Sequence, residues 1–217
     1  MSGLCRVPPQ DLNPLFDVWP AGRAIHVLHD AAYPPESFNP GVDGQGRLRK
    51  PTRFAPIRDG AGRVVPYLYG GSSLDCAIFE TVFHDVPLDA ADKFVDLSLH
   101  AHRGHGQVVP RRDLKLVDLT SEGLHRLKVP KSELIASPAR AYESTALWAQ
   151  ALHHHCSDAD ELLWMSRQRD RDHALLLFGD RVAGMLSGTR MGGVLGTDPA
   201  LRDAVFTAAL RAGIEVA

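Results

Sequence analysis

The run Leu74 to His84 (Leu-Asp-Cys-Ala-Ile-Phe-Glu-Thr-Val-Phe-His) places the tightest limit on the fold. Leu74, Ala77, Ile78, Thr81 and Val82 recur at the i, i+3, i+4, i+7, i+8 spacing of one helical face. Phe79 and Phe83 project from nearly the opposite side. A helix apolar on two faces must be covered on both, so it belongs inside a layered domain. Glu80 is the odd member of this helix. A carboxylate there must be paired, hydrogen-bonded or put to use, because stranding its charge in low dielectric is costly.

The elements around this helix follow from pattern. Val64 to Tyr69 reads as a strand with Val65, Tyr67 and Tyr69 on one face, and Pro66 suits an edge or a strand start. Gly70-Gly71-Ser72-Ser73 then turns the chain and sets a serine at the helix N-cap. The turn could cradle a phosphate, but it lacks the full phosphate-loop pattern, and a plain tight turn explains it as well. Arg23 to His29 reads as a first strand, with Ala24, His26 and Leu28 sharing a face, and residues 30–62 are loop-rich.

Downstream, Phe94 to Leu99, Leu114 to Leu119, Leu162 to Met165 and Ala174 to Phe178 read as strands. Ser121 to Leu127, Ala139 to His154 and Pro199 to Ala212 read as helices, the last capped by Asp198 and stopped at Gly213. Residues 1–22, broken by Pro8-Pro9 and Pro20, read as an N-terminal arm with Leu15, Phe16 and Trp19 as apolar anchors. Residues 23–217 read as one domain. Strands and helices alternate without a regular parallel pattern, which favours α+β over a doubly wound α/β fold.

Composition narrows the function classes. A chain of 217 residues that is 44% hydrophobic buries a proper core. Its net charge of -2 argues against a sequence-independent nucleic-acid binder. Cys5, Cys76 and Cys156 do not form a disulfide framework, which fits a reducing cytoplasm. There is no signal pattern and no apolar run near the roughly 20 residues of a membrane helix.

The order Arg53-Phe54-Ala55-Pro56, Tyr69, Glu80 within Ala-Ile-Phe-Glu-Thr-Val-Phe-His, then Trp164-Met165-Ser166-Arg167, resembles the RES domain. The resemblance spans about residues 23 to 185. It implies a fold similar to ADP-ribosyltransferases, with a mixed or split β-sheet core, and a chain that acts as the toxin of a type II toxin–antitoxin pair. Such toxins consume NAD, by degradation or by ADP-ribosylating a protein, and arrest growth. It also implies a helix-turn-helix antitoxin whose C-terminal segment blocks the site. By resemblance, Arg53, Tyr69, Glu80 and Ser166 are active-site residues and no metal is required.

The residue types suit that chemistry in their own right. Cleaving the nicotinamide–ribose bond passes through an oxocarbenium-like state. Cationic nicotinamide leaves readily, so no strong acid is needed. A carboxylate such as Glu80 can hold a ribose hydroxyl and stabilise developing positive charge. Tyr69 offers a π face to the nicotinamide ring, and Arg53 a rigid fork of donors to a pyrophosphate or ribose hydroxyl. Ser166 suits hydrogen bonding better than nucleophilic attack, since no base is evident beside it.

Each assignment has a plainer rival. Glu80 could pair with His84 one turn on, or with an arginine. Tyr69 could be an ordinary half-buried strand aromatic, and Arg53 a solvated member of a basic loop with Arg47, Arg49 and Lys50. His26 matches the first-strand histidine of the diphtheria-like ADP-ribosyltransferases, where RES proteins frequently carry an arginine; a satisfied core histidine is the alternative. His153-His154-His155-Cys156 with Asp158 looks metal-binding, but adjacent helical residues point about 100 degrees apart and cannot share an ion. His154 and Asp158 are the one usable pair. The competing function classes are a non-catalytic interaction domain, for which NAD is inert, and a histidine-based metal hydrolase, which a chelator stops.

Overall fold

The computed structural model describes residues 5–87 and 90–217, so residues 1–4 of the expected arm lie outside it. The helix singled out above forms as α1 (Leu74–Thr81), with the Ser73 hydroxyl accepting the Cys76 N–H at its N-cap. The strands are β1 (Leu15–Trp19), β2 (Ile25–Asp30), β3 (Ile57–Arg58), β4 (Val64–Val65), β5 (Tyr67–Gly71) and β6 (Phe94–Val95). They continue with β7 (Arg103–Pro110), β8 (Leu114–Asp118), β9 (Glu161–Met165), β10 (His173–Phe178), β11 (Leu186–Val194) and β12 (Glu215–Val216). The later helices are α2 (Ser121–Leu127), α3 (Lys131–Leu134), α4 (Tyr142–His155), α5 (Gly179–Val182) and α6 (Pro199–Ala212).

Eight strands form one sheet in the order β1-β8-β9-β10-β5-β2-β7-β11. β8 and β9 run parallel, and the other neighbours run antiparallel. The fold is therefore α+β around a mixed sheet, as the sequence pattern indicates. β5 and β2 are joined by a single registered pair, Gly71 with His26, so the sheet is nearly divided at its middle. β5 lies inside the sheet, and Pro66 precedes it, where its missing N–H does no harm.

The position of α1 explains its two apolar faces. It packs on β2 and β5 on one side and on α6 on the other. Ala77, Ile78, Phe79, Val82 and Phe83 share a buried cluster with Leu201, Val205 and Ala208 of α6. A second cluster on that side of the sheet joins Trp164 and Leu176 to Trp148 and Leu152 of α4. The opposite face carries Ile25, Val27, Leu68, Leu163, Leu175 and Leu177.

Three features depart from the sequence pattern. Phe94 to Leu99 is not one strand: after Val95, the Asp96 side chain accepts the Ser98 N–H and turns the chain into a 3-10 helix, Leu97–His100. β7 has strict alternation of burial, but glycines occupy two of its inward positions, Gly104 and Gly106. A Cβ on Gly106 would meet Pro35 Cβ at 2.5 Å, so close approach of that loop requires glycine. β11 is an edge strand that is mostly exposed, with no alternation to read. The N-terminal segment contributes β1 to the other edge, and its Trp19 is buried, with the indole N–H donating to Arg23 O.

Candidate functional site

Residues far apart in sequence meet beside the C-terminal half of α1. Ser166 Oγ donates to Glu80 Oε1 at 2.7 Å across 86 positions of chain. Ser166 follows β9 and is fully buried, while Glu80 is half-buried at the edge of the helix. The hydroxyl donates to the carboxylate, which fixes the two side chains relative to each other and sets beside Ser166 a carboxylate base that the sequence did not reveal. The expected rival pairing with His84 is not made. His84 Nε2 instead hydrogen-bonds the Tyr142 hydroxyl at 2.8 Å.

Tyr69 and Arg53 are coupled through one loop. The Thr52 hydroxyl gives its single proton to Ala55 O at 3.0 Å. The Tyr69 hydroxyl, 2.9 Å from Thr52 Oγ1, therefore donates to it, and its own oxygen accepts the Phe54 N–H at 3.1 Å. The Tyr69 ring is held edge-on by Tyr67 and Trp164. Burial raises the Tyr69 phenol pKa and keeps it neutral. Tyr69 thus fixes the loop that presents Arg53, a constraint additional to any stacking of its ring.

Arg53 is buried, at 3% exposure, so it is not a solvated loop residue. Its Nη1 donates to Ser137 Oγ at 3.1 Å and to Ser137 O at 3.3 Å, and its guanidinium lies 5.2 Å from the centroid of the Tyr142 ring. Thr145 Oγ1 caps the Arg53 carbonyl. Burial lowers the Arg53 pKa, while Tyr142, Glu80 and Tyr69 favour its charged form and Arg167 opposes it. Burial likewise lowers the His84 pKa, partly offset by Glu80. Arg53, Tyr69, Glu80 and Ser166 therefore share one neighbourhood with Tyr142, His84 and Arg167.

Those last three were not singled out as site residues from the sequence. Arg167 had a signal in its place next to Ser166, and His84 in its helical spacing from Glu80. Tyr142 had none, because only the fold brings the start of α4 over Arg53. His26 lies one strand away. Its Nδ1 is 3.0 Å from His105 Nε2, and the two rings stack with centroids 5.2 Å apart. One nitrogen must donate and the other accept, so both rings cannot be fully protonated. Burial, then the charges of His26 and His29, hold the His105 pKa down at about 4.

The histidine run resolves into separate contacts. His153 Nε2 lies 3.0 Å from Asp180 Oδ2, His154 Nε2 lies 2.8 Å from Arg58 O, and Asp158 pairs with Lys115. Gly70 and Gly71 are packing glycines: added Cβ atoms would meet Ile25 Cγ2 at 2.4 Å and Cys76 Cβ at 2.7 Å. Two surface cavities are lined by other residues. One of about 520 Å³ is lined by Phe16, Arg112, Lys115 and Asp160, and one of about 410 Å³ by Thr81, Asp85, Phe94 and Leu99. None of the four expected residues lines either, so convergence of charged and hydrogen-bonding groups marks the candidate site, and cavity size does not.

The sequence matches the RES domain family over residues 22–190. Among solved structures, it is similar to a chain of the M. tuberculosis MbcT-MbcA toxin-antitoxin complex, with a TM-score of 0.53 and 12% identity. That alignment covers 88% of this chain and 92% of the other, a likeness of fold. No curated protein matches the sequence significantly.

Proposed function

The chain belongs to the RES domain family, and from that premise we propose that it is the toxin of a type II toxin–antitoxin pair, acting by cleaving the nicotinamide–ribose bond of NAD. The observation that carries the reading is the contact of Ser166 with Glu80, 2.7 Å long, beside the buried Arg53. A carboxylate oriented by a hydrogen bond from a residue 86 positions away is preorganised in part, and preorganisation is what charge stabilisation requires.

In this mechanism the dinucleotide lies with its nicotinamide ribose against Glu80. The Ser166 proton occupies one carboxylate oxygen, and the other receives a ribose hydroxyl. As the C1′–N bond breaks, the bonding pair leaves with nicotinamide, and positive charge on the ribose is stabilised by the carboxylate. Water then adds to C1′ and loses a proton, giving ADP-ribose. Arg53 binds the pyrophosphate, and the Tyr69 ring borders the nicotinamide. His26 contacts the ribose from β2. Transfer to a protein side chain in place of water is the alternative outcome of the same site.

No helix among the described residues is long and apolar enough to cross a membrane. The reading places the protein in the cytoplasm, held inactive by a helix-turn-helix antitoxin whose C-terminal segment covers the site. The fold resemblance to a toxin–antitoxin complex supports an antitoxin partner. The test is nicotinamide release from labelled NAD by the purified chain and by a Glu80→Ala variant of equal helicity. Release by the parent and a loss of about 100-fold or more in the variant is expected. Label on ADP-ribose supports hydrolysis, and label on a protein band supports transfer. Intact NAD, even with bacterial lysate supplying acceptors, overturns the reading.

A further inference from the structure

The segment after Ser166 is held rigidly. The Ser166 N–H donates to Asp172 O, the Arg169 N–H to Ser166 O, and the Asp172 N–H to Arg169 O. Gln168 Nε2 donates to Phe83 O and Val86 O at 3.0 Å each, tying the loop to the end of α1. The two arginines of this loop have opposite surroundings. Arg169 is neutralised by Asp75 and Asp172. Arg167 Nε is buried without a hydrogen-bond partner among the described residues.

Arg167 directly follows Ser166, whose hydroxyl donates to Glu80 Oε1, so it stands beside the site. It opposes protonation of Arg53 and His84 and favours ionisation of Tyr142, so all three lie within its field. Glu80 is the carboxylate whose charge reaches Arg53. Arg53 and Arg167 thus share one neighbourhood with Glu80 and Asp85, and the buried Arg167 Nε still lacks an acceptor among the described residues. That unmet donor suits an anion carried on oxygens that accept from a rigid N–H fork.

We propose that Arg167 is a second diphosphate-binding residue of this site, gripping with Arg53 the bridging phosphates of a dinucleotide. The proposal deepens the NAD reading and rests on it for the substrate class. It gives Arg53 and Arg167 one task, holding the diphosphate so that the adjoining ribose meets Glu80.

The test is calorimetric binding of ADP and of adenosine to the full chain and to Arg167→Gln. The parent binds ADP more tightly than adenosine. R167Q loses about 10-fold or more in ADP affinity, the scale of a charged hydrogen bond, with adenosine affinity unchanged. The salt dependence of ADP binding becomes shallower in the variant. Arg167→Met, which keeps the aliphatic stem, gives the same result and serves if R167Q loses its thermal transition. Parent-like ADP binding in either folded variant, an equal loss for adenosine, or no ADP binding by the parent overturns the proposal. Nicotinamide release by the parent decides the NAD reading separately, so each can fail alone.

Discussion

Two glutamates on opposite faces of the same sheet show what burial does and does not say about function. Glu80, on α1, is half-buried and receives the Ser166 hydroxyl proton beside Arg53. Glu161, in β9, is fully buried and has no hydrogen-bond partner on either oxygen among the described residues. It sits opposite Leu116 and Leu177 in register, within the apolar face. Its neighbour Asp160 is satisfied by Arg112 and by the Lys115 N–H. Burial, with the Asp160 charge, pushes the Glu161 carboxyl well above its usual range. By isolation alone, Glu161 is the more anomalous residue. What separates Glu80 is convergence: an oriented carboxylate, an arginine and a tied tyrosine from separate elements.

The comparison breaks if Glu80 proves inert. Glu80→Ala should cost about 100- to 1,000-fold in nicotinamide release with little change in the unfolding midpoint; unchanged turnover would place Glu80 with the structural carboxylates. Ser166→Ala comes next. Removing a hydrogen bond to a charged group is worth about 1.5–3 kcal/mol, so turnover should fall about 10- to 100-fold. A loss equal in affinity and rate would point to a packing defect instead.

Glu161→Leu should behave oppositely, gaining on the order of 1–3 kcal/mol in stability at neutral pH because an unpartnered polar group leaves the apolar face. The sign with pH is fixed. A carboxyl whose folded pKa is raised contributes stability that is full below the unfolded value of about 4.3 and is lost as pH rises toward the folded value. Denaturant titrations across that window should show a downward slope in the parent that E161L lacks. An identical slope in both would show that Glu161 finds a partner in solution.

Tyr69→Phe has the smallest expected effect on stability, about 1 kcal/mol, because it strips the acceptor from the Phe54 N–H and the donor from Thr52. Hydrogen exchange should quicken at Phe54 while α4 stays protected. Exchange unchanged at Phe54 would show that the loop carrying Arg53 is held by Thr145 and Ser137 alone.

Much of this arrangement was legible in the sequence. The two apolar faces of α1 were written at helical spacing, and so was the oddity of Glu80 among them. Ser73, Asp198 and Gly213 announced their caps because capping is a local hydrogen bond or a local left-handed turn. The motif order around Arg53, Tyr69, Glu80 and Ser166 marked the family. Sequence hid β7, because Gly104 and Gly106 fill inward positions where alternation calls for apolar side chains, and at Gly106 the reason is the approach of Pro35. It hid Tyr142 over Arg53, the stack of His26 on His105, and the isolation of Glu161. Periodicity and capping are properties of neighbouring residues, so the chain determines them alone. Which polar groups meet depends on strand order and register, and those are chosen by burying every apolar face at once.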